Sequence, residues 1–357
     1  MPDDGNASAS SPTAGVASSE PPAAESPTGV LPGGHWAQAE LPAEDDNDSS
    51  LGDDAVSSTA SITSSILRYR TVLGRTYHSE RGNAQYWGAN DEQASETLDL
   101  AHHFLTLCLD DKLHLAPLAK TIQKALDIGT GTGIWAIDFA DQYPDCEVIG
   151  TDLSPIQPSW VPPNLKFEID DCTQHWTYAP GSIDFVHGRY LLGSIGDWVA
   201  LAKEAYKSLK PGGFFESYEA SPFIGSEDGT VTETSAMGQW GKLFVEGGKK
   251  LGQTFTVVPD GLQKKAMEEA GFVDIQEWDF NAPLGQWPMD AKLKEIGIYS
   301  QFALENDIPG FVSFVANLLG WSKEEVEVYA AHFRREMRNK ALHGIIKLKV
   351  VWGKKPE

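Results

Sequence analysis

From residue 91 to the end of the chain, hydrophobic and polar positions follow two alternating periodicities. Between Asp91 and Leu109, apolar residues recur at spacings of three and four, which predicts an amphipathic helix. After this helix, short apolar runs typical of strands alternate with longer segments of helical spacing. Strands that alternate with helices indicate an α/β fold, in which a parallel sheet is covered by helices on both faces.

Turn residues divide this region into separate elements. The predicted helix "DGLQKKAMEEAGF" has Asp260 as its N-terminal cap and ends at Gly271. A segment of about residues 290–340 is predicted to be mostly helical. The predicted strands are, in chain order, "KALDIG", "CEVIGTDL", "LKFEIDD", "SIDFVHGRYL", "FFESYEA", "VDIQEWDF" and "IIKLKVVW", and the other predicted helices are "GIWAIDFADQYP" and "WVALAKEAYKSLKPGG".

The composition changes abruptly near residue 61. Residues 1–60 contain eleven acidic residues and no Lys or Arg, and Ser, Pro, Ala and Gly fill most of the remainder. Such a segment cannot bury enough apolar surface to offset the entropy of ordering, so we expect a disordered acidic tail. The ordered chain is expected to begin between Ser61 and Arg70.

Charge and hydropathy argue against direct binding to nucleic acid or membrane. The net charge is −23, and the tail supplies less than half of it, so the remainder would also repel a phosphate backbone. No apolar run approaches the ~20 residues that span a bilayer, and the N-terminus lacks the basic-then-apolar layout of a signal peptide. We therefore expect a soluble protein of the cytoplasm, or alternatively of the nucleus, that binds neither nucleic acid nor membrane directly.

The cysteine and histidine pattern predicts no metal site. Cys108, Cys146 and Cys172 have no paired short spacing, which fits a reducing compartment and gives no zinc pattern. His102 and His103 are neighbours on the predicted helix and point in different directions. We expect them to pack or to face solvent, because a shared metal would need both on one face.

The stretch "ALDIGTGTGIWA", residues 125–136, places three glycines at alternate positions after a predicted strand. Gly129, Gly131 and Gly133 would let the backbone pass closely under a ligand at the first strand-to-helix turn. A dinucleotide turn prefers the spacing G-x-G-x-x-G, and Asp127 would oppose a pyrophosphate, which disfavours a nicotinamide-dependent oxidoreductase. Since this carboxylate suits the ammonium of an amino acid, the turn predicts a nucleoside with an amino-acid tail, namely S-adenosylmethionine.

Acidic residues also end the next two predicted strands. Asp152 can accept hydrogen bonds from both ribose hydroxyls, and Leu153 follows it beside the same ligand. Asp171 can accept from the exocyclic amine of an adenine, while the backbone N–H of Cys172 faces the adenine ring nitrogen. Each acid could equally be a cap or a solvated strand end. Three acids at successive strand ends, counting Asp127, favour a cofactor site.

Five stretches in this order resemble the class I S-adenosylmethionine-dependent methyltransferases: "LDIGTGTG", "VIGTDLSPIQPSWVPPN", "FEIDDC", "FVHGRYLLGSIGDW" and "LKPGGFFE". Two further stretches, "YWGANDEQASETLDLAHHFLTL" and "HGR" at residues 187–189, are similar to the narrower LaeA-like methyltransferases of fungi. The resemblance runs from about Arg68 to the C-terminus. It implies a Rossmann-like fold, with a seven-stranded, mostly parallel sheet, an antiparallel last strand, and helical N-terminal and C-terminal insertions.

The resemblance also implies a division of the chain behind the tail. Residues 61–120 are expected to form an N-terminal helical cap, and residues 121–357 a methyltransferase domain. This domain would carry acceptor-site insertions at about 225–258 and 287–340.

A second implication concerns the segment from Tyr77 to Asn90, which is expected to fold across the cofactor. Tyr86 and Trp87 are candidates for covering the methionine end, where an aromatic face stabilises a sulfonium by cation–π attraction. The alternative is that they only pack the N-terminal helix on the sheet.

Candidate catalytic residues lie at the end of the fourth strand. His187 could remove a proton from a hydroxyl or acid acceptor, or it could bond only backbone or cofactor. Arg189 could meet the substrate or pair with an internal carboxylate, and Glu216 and Glu219 on the fifth strand rank lower. An apolar acceptor pocket is expected from aromatic residues of the two insertions, although each could instead pack the core: Trp240, Phe244, Trp287, Phe311 and Trp321.

Two functions are consistent with these features. The leading hypothesis is a methyltransferase that acts on a small-molecule acceptor, in fungal secondary metabolite biosynthesis. The alternative is a LaeA-like regulator that works through protein partners or protein methylation, with the acidic tail as an interaction segment.

Overall fold

The computed structural model of this chain describes residues 29–39, 68–79 and 86–357. The predicted disorder of residues 1–28 and 40–60 therefore lies outside the described residues. Along the described chain the elements are α1 (Gly33–Gln38), β1 (Arg70–Val72), β2 (Arg75–Tyr77), α2 (Glu92–Cys108), β3 (Lys124–Ile128), α3 (Ile134–Gln142), β4 (Glu147–Asp152), β5 (Leu165–Ile169), β6 (Ile183–Arg189), α4 (Trp198–Ser208), β7 (Leu209–Gly225), α5 (Ala236–Leu251), α6 (Leu262–Ala270), β8 (Val273–Pro283), α7 (Ala291–Asn306), α8 (Ile308–Leu318), α9 (Lys323–Arg338) and β9 (Ile345–Lys354).

In the described part of the chain, seven strands form one sheet in the order β5-β4-β3-β6-β7-β9-β8. Neighbouring strands from β5 to β7 are parallel, whereas β9 is antiparallel to both β7 and β8. The last strand therefore inserts between two earlier ones. This topology confirms the predicted Rossmann-like sheet with an antiparallel last strand.

The order of strands reverses at β3. The chain runs outward from β3 to β4 and β5, then crosses back to β6 on the other side of β3. Asp127 on β3 lies opposite His187 on β6, and His187 lies opposite Glu216 on β7. Ligands of open α/β sheets bind beyond the carboxyl ends of the strands at such a reversal, so the fold places the glycine turn where a cofactor is expected.

Apolar residues fill both faces of the sheet. On one face, Trp135 and Phe139 of α3 pack with Ala125, Val148 and Phe185 of the strands. The opposite face joins a larger cluster that includes the helices of both insertions. The short apolar runs of the central strands β3, β4 and β6 are thus explained by burial on two sides.

The helix boundaries confirm most of the sequence pattern and correct one detail. Asp91 caps α2 by accepting a hydrogen bond from the N–H of Ala94, and Gly271 ends α6 with a φ of 99°. Asp260, however, does not cap α6, so that prediction is wrong. Gly261, with a φ of 63°, occupies the cap position, and the Asp260 carboxylate instead accepts from the hydroxyl of Thr256 at 2.5 Å.

The prediction of disorder is wrong for residues 29–39. This segment forms α1, which packs on α9, and Trp36 is only 3% exposed. The Trp36 ring lies 5.1 Å from that of Tyr329, and the backbone N–H of Leu31 donates to Oε1 of Gln239 at 2.7 Å. An aromatic contact and a buried hydrogen bond therefore fix a segment of a tail whose overall composition is typical of disorder.

The N-terminal cap and the insertions contain more secondary-structure elements than the sequence predicted. Besides α2, the cap contains an antiparallel hairpin of β1 and β2, which the sequence pattern did not predict. The insertions contain α5 and, later, α7, α8 and α9, and α5 packs against β7, α8 and α9. Among the described residues, no helix is both long and apolar enough to cross a membrane.

Candidate active site

The glycine turn joins β3 to α3 in a left-handed conformation. The φ angles of Gly129, Gly131 and Gly133 are 64°, 59° and 83°, a region that residues with a Cβ rarely adopt. Space is restricted as well, because a Cβ on Gly133 would lie 2.2 Å from Cζ of Phe167. Glycine is therefore strongly favoured at these positions, and the lack of side chains leaves the backbone open to a ligand.

Asp127 lies under the turn in a buried hydrogen-bonding cluster. Its carboxylate accepts from the hydroxyl of Thr130 at 2.6 Å and from Nδ1 of His187 at 2.7 Å. Asp127 and His187 are 3% and 1% exposed, and the imidazole stacks on Trp135 with ring centroids 3.7 Å apart. Burial lowers the pKa of His187, so its neutral form donates one hydrogen bond to Asp127. This geometry makes His187 a positioning residue for Asp127, and a role as base stays a prediction.

Asp152, at the end of β4, links the glycine turn to the following loop. Its Oδ2 accepts from the backbone N–H of Gly131 at 2.8 Å, and its Oδ1 accepts from that of Ser154 at 2.9 Å. Burial raises the pKa of Asp152 to about 6, against the opposing effect of these two N–H donors. Each oxygen keeps a free lone pair, so the carboxylate can still accept from a diol.

The end of β5 carries the predicted adenine contacts. Oδ1 of Asp171 accepts from the backbone N–H and the hydroxyl of Thr173, at 2.9 and 2.6 Å. The carbonyl of Cys172 accepts from Nε1 of Trp176 at 2.9 Å, which fixes the backbone at this point. Both residues are thus held by local contacts at the third successive strand end.

One cavity brings nearly all of these residues together. It extends from the end of β5, past the glycine turn, to the helices of the insertions. Of the predicted cofactor-binding residues, only Gly133 is absent from its wall, because it packs against Phe167 beneath the turn. The predicted residues that line the cavity are Tyr86, Trp87, Asp127, Gly129, Gly131, Asp152, Leu153, Asp171, Cys172, His187 and Arg189.

The cavity wall fits S-adenosylmethionine chemically. Asp152 and Asp171 offer acceptors for hydroxyl and amine groups, and Asp127 offers a carboxylate for an ammonium. The turn between them presents backbone without side chains. An acceptor-rich wall of this kind suits a nucleoside with an amino-acid tail better than a pyrophosphate.

Comparisons with known proteins agree with this geometry. A family model described as "Methyltransferase domain" matches residues 100–277. Methyltransferase pytC of Aspergillus terreus is 39% identical over 308 residues, which cover 85% of this chain and 93% of that protein. The chain belongs to the LaeA-like family of S-adenosylmethionine-dependent methyltransferases. Further relatives are the probable methyltransferase tdiE of Emericella nidulans, 34% identical over 73% of this chain and 82% of that protein, and the secondary metabolism regulator LAE1 of Cochliobolus heterostrophus, 30% identical over 80% and 94%.

The aromatic cover of this methyltransferase is held by hydrogen bonds. Nε1 of Trp87 donates to the carbonyl of Leu192 at 2.9 Å, and the Trp87 ring packs against Phe244 and Phe255. The backbone N–H of Tyr86 donates to Nε2 of His78 at 3.1 Å. These contacts put both aromatic residues on the cavity wall, between the cofactor side and the insertions, and their contact with the sulfonium stays a prediction.

Glu216 and Glu219 anchor loops. One oxygen of Glu216 accepts from the N–H groups of Leu115 and Ala116, at 2.9 and 2.5 Å. Glu219 accepts from those of Leu191 and Leu192, both at 3.0 Å. Burial raises the pKa of Glu216 to about 7 and that of Glu219 to about 8. Neither carboxyl lines the cavity, so their geometry explains loop position and not proton transfer.

Several polar residues of the site were not predicted from the sequence. His102 of α2 is 5% exposed and contacts Arg189, whereas His103 packs against Tyr299. The signal was present, because His102 falls on the same face of the helix as Leu98 and Ala101. Two further contacts join the cap to the cofactor side of the cavity: Thr132 of the turn with Asp99, and Asn90 with Ser154 of the loop after β4.

The predicted acceptor aromatics separate into two groups. Trp240, Phe244 and Phe311 line the cavity. The prediction is wrong for Trp287, which packs on His343, and for Trp321, which packs on Tyr329. Across the described ranges, no group of three or more His, Cys, Asp or Glu is arranged to hold a metal ion.

Replacing Asp152 by Ala is expected to weaken S-adenosylhomocysteine binding by about 1.5 to 3 kcal/mol, the range for hydrogen bonds to a charged group. Because the ionised carboxylate is the acceptor, wild-type affinity should be full only well above pH 6 and should decline as the pH falls through about 6. Titration calorimetry between pH 5 and 8 measures both effects. Asp152→Asn keeps the shape and should also lose the pH step, whereas wild-type affinity in either variant would refute the assignment.

Proposed function

We propose that this methyltransferase transfers the methyl group of S-adenosylmethionine to a small, largely apolar acceptor in fungal secondary metabolism. The observation that carries the proposal is the single cavity that joins the cofactor residues to the aromatic residues of the insertions. An enclosed apolar wall with few polar groups is typical of small-molecule sites. The similarity to pytC over 85% of the chain supports the same class of activity.

The chain's own residues would align the reactants and exclude water. S-adenosylmethionine supplies a methyl group on a positively charged sulfur, so alignment with the acceptor nucleophile is the main requirement. Trp87 and the loop at Leu192 close the cavity between the two ligands, and Glu219 holds that loop through its backbone. Exclusion of water at this point protects the methyl group from hydrolysis.

The acceptor wall comes from elements outside the cofactor motifs. α5 provides Trp240 and Phe244, α8 provides Phe311, and α7 provides Ala303 and Leu304. Ring contacts connect Trp240 to Phe244 at 5.2 Å and to Phe311 at 6.0 Å. These rings are inclined to one another by 56° and 64° and give an apolar aromatic wall that suits a hydrophobic acceptor.

Replacing Phe311 by Ala is expected to raise the KM of the acceptor about tenfold, because loss of a partly buried aromatic contact costs about 1.4 kcal/mol. The affinity for S-adenosylhomocysteine should stay unchanged, since Phe311 lies on the acceptor side. Methyl-transfer kinetics with an acceptor found by screening, together with calorimetry, measure the two quantities. Phe280→Ala, which removes a comparable half-buried ring outside the cavity, is the control. An equal loss of cofactor affinity in Phe311→Ala would contradict the division of the cavity.

A second candidate function is regulation through protein partners or protein methylation. It is supported by the 30% identity to regulator LAE1 and by the acidic composition of residues 1–60. The two functions can be separated by incubating the purified protein with a fungal lysate and isotope-labelled S-adenosylmethionine, in comparison with the lysate alone. Label in the small-molecule fraction supports the enzyme, which we place in the cytoplasm. Label in the protein fraction, or none beside a stable protein complex, supports the regulator, which we place in the nucleus.

A further inference from the structure

Arg189 is a half-buried cation on the cavity wall. It ends β6 and lines the cavity, and burial lowers the pKa of its guanidinium. Within residues 29–39, 68–79 and 86–357, no carboxylate forms an ion pair with it, and its hydrogen bond is to Nδ1 of His102 at 3.1 Å. Among the described residues, the other N–H donors of this guanidinium have no carboxylate partner, so an anionic ligand in the cavity would gain a charge-assisted hydrogen bond there. The described residues therefore do not support the alternative in which Arg189 pairs with an internal carboxylate.

A relay behind Arg189 fixes its orientation. A guanidinium has only donors, so Nδ1 of His102 must accept, and the proton of this neutral imidazole must lie on Nε2. That Nε2–H donates to Oδ2 of Asp138 on α3 at 2.9 Å. Burial lowers the pKa of His102, which favours the neutral form that this arrangement needs. The chain of contacts leaves the other N–H groups of Arg189 available to a ligand.

Arg189 and Asp127 place opposite charges at the ends of neighbouring strands. Asp127 on β3 lies opposite His187 on β6, and Arg189 follows His187 two residues later on β6. Both line one cavity, and their charges attract each other. A carboxylate and a guanidinium on adjacent strands match the ammonium and the carboxylate of an amino acid. The methionine portion of the cofactor is a zwitterion of this kind.

We propose that Arg189 binds the α-carboxylate of the methionine portion of S-adenosylmethionine, with His102 and Asp138 as positioning residues. The proposal rests on the methyl donor of the proposed function and does not depend on the acceptor. The α-carboxylate would be the anionic partner of the Arg189 guanidinium, which the described residues do not supply. It also makes Arg189 a cofactor-binding residue, where the sequence predicted a catalytic one.

The test compares two ligands that differ in the amino-acid portion. S-adenosylhomocysteine carries the α-carboxylate, whereas 5′-methylthioadenosine has the same nucleoside and sulfur without it. In titration calorimetry, Arg189→Met should weaken S-adenosylhomocysteine about 10- to 100-fold, as expected for a charge-assisted hydrogen bond. Binding of 5′-methylthioadenosine should change less than about twofold, which also shows that the variant is folded.

Two further variants sharpen the result. His102→Ala should weaken S-adenosylhomocysteine by a smaller factor and again spare 5′-methylthioadenosine, because it removes only the orientation of Arg189. Arg335→Met is the matched control, since Arg335 also contacts a histidine, His332, at 3.2 Å but lies outside the cavity. It should leave both affinities unchanged.

Three outcomes would overturn the assignment. Unchanged S-adenosylhomocysteine affinity in Arg189→Met, with lost turnover, would place the anion on the acceptor. An equal loss for both ligands would indicate a general structural effect. Failure of the folded wild-type protein to bind S-adenosylhomocysteine would overturn the proposed function as well, which separates it from a failure confined to Arg189.

Discussion

Replacing Arg75 by Met is expected to lower the free energy of unfolding by about 3 to 5 kcal/mol, the cost of leaving a buried partner charge uncompensated. Arg75 lies on β2 and bonds two carboxylates at once. Its Nε and Nη2 donate to Asp91 at 2.6 and 2.5 Å, and its Nη1 and Nη2 donate to Asp307 at 2.5 and 2.7 Å. The two acids cap α2 and α8, so one guanidinium joins the hairpin to both helices.

The electrostatics of this cluster explain the size of the effect. Burial alone would lower the pKa of Arg75, but the hydrogen bonds to Asp91 and Asp307 outweigh it and raise that pKa. The side chain of Asp307 is 3% exposed, and burial raises its pKa even with Arg75 present. Without the guanidinium, the Asp307 carboxylate would have to become protonated or be hydrated by water that enters the core.

Denaturant unfolding, with calorimetry as a second probe, measures the change. Arg75→Met with Asp307→Asn should recover part of the lost stability, because the double variant removes the more deeply buried of the two uncompensated charges and Asn can still cap α8. Arg338→Met serves as control. Arg338 pairs with Glu305 but is 61% exposed, so its loss should cost less than about 1 kcal/mol. If Arg75→Met unfolded at the wild-type denaturant concentration, the cluster would contribute nothing to stability.

The same cluster has a consequence for the cofactor. The chain runs from β2 through Tyr86 and Trp87 to Asp91, and Arg75 bonds Asp91 at the far end of that segment. Thr76 and Asn90 reinforce this closure through a backbone and a side-chain hydrogen bond. Removal of Arg75 should therefore loosen the aromatic cover as well as the fold, and weaken S-adenosylhomocysteine at temperatures where the variant is still folded.

The features that could be predicted from the sequence are those encoded over short distances. Each of Asp127, Asp152 and Asp171 stands at the end of an apolar run beside a turn, and the parallel sheet then brings such ends to one edge. The glycine turn could also be predicted, because its three glycines lie close together within residues 129–133. The antiparallel strand β9 was expected only from the resemblance, since strand direction leaves no mark on a strand's own pattern.

The features that were missed depend on contacts between distant residues. Arg75 and Asp307 are 232 positions apart, and no periodicity relates them. Trp36 contacts His332 of α9 across 296 positions, so the average composition of the first 60 residues concealed an anchored segment. The hairpin β1–β2 has strands of only three residues, too short for an alternating pattern to be visible. At α6, Asp260 and Gly261 both favour a cap, and only the backbone conformation decides between them.

The second large effect is expected at the glycine turn, where Gly131→Val should weaken S-adenosylhomocysteine about 100-fold or more while the protein stays folded. Gly131 has a φ of 59°, where a residue with a Cβ costs roughly 1 to 2 kcal/mol and a β-branched one more. Its N–H donates to Asp152 and its carbonyl accepts from Gln157 at 2.6 Å, so relief of the strain would break both links.

The new side chain would also occupy ligand space. A Cβ on Gly131 would lie 3.4 Å from Cδ1 of Leu98, and both residues line the cavity, so the valine methyl groups would project between the turn and α2. Because the contact with Leu98 is of ordinary length, the core is not overpacked, and the loss should fall on binding. Calorimetry with S-adenosylhomocysteine measures it, and the thermal unfolding midpoint confirms folding.

The matched control is Gly229→Val. Gly229 has a φ of 75° with nothing within 4 Å of an added Cβ, and it lies on an exposed loop outside the cavity. This variant imposes the same backbone strain without touching the turn, so its cofactor affinity should equal that of the wild type. If Gly131→Val bound as tightly as Gly229→Val, the ligand would not pass over the glycine turn, and the contacts of Asp127 and Asp152 with it would need another explanation.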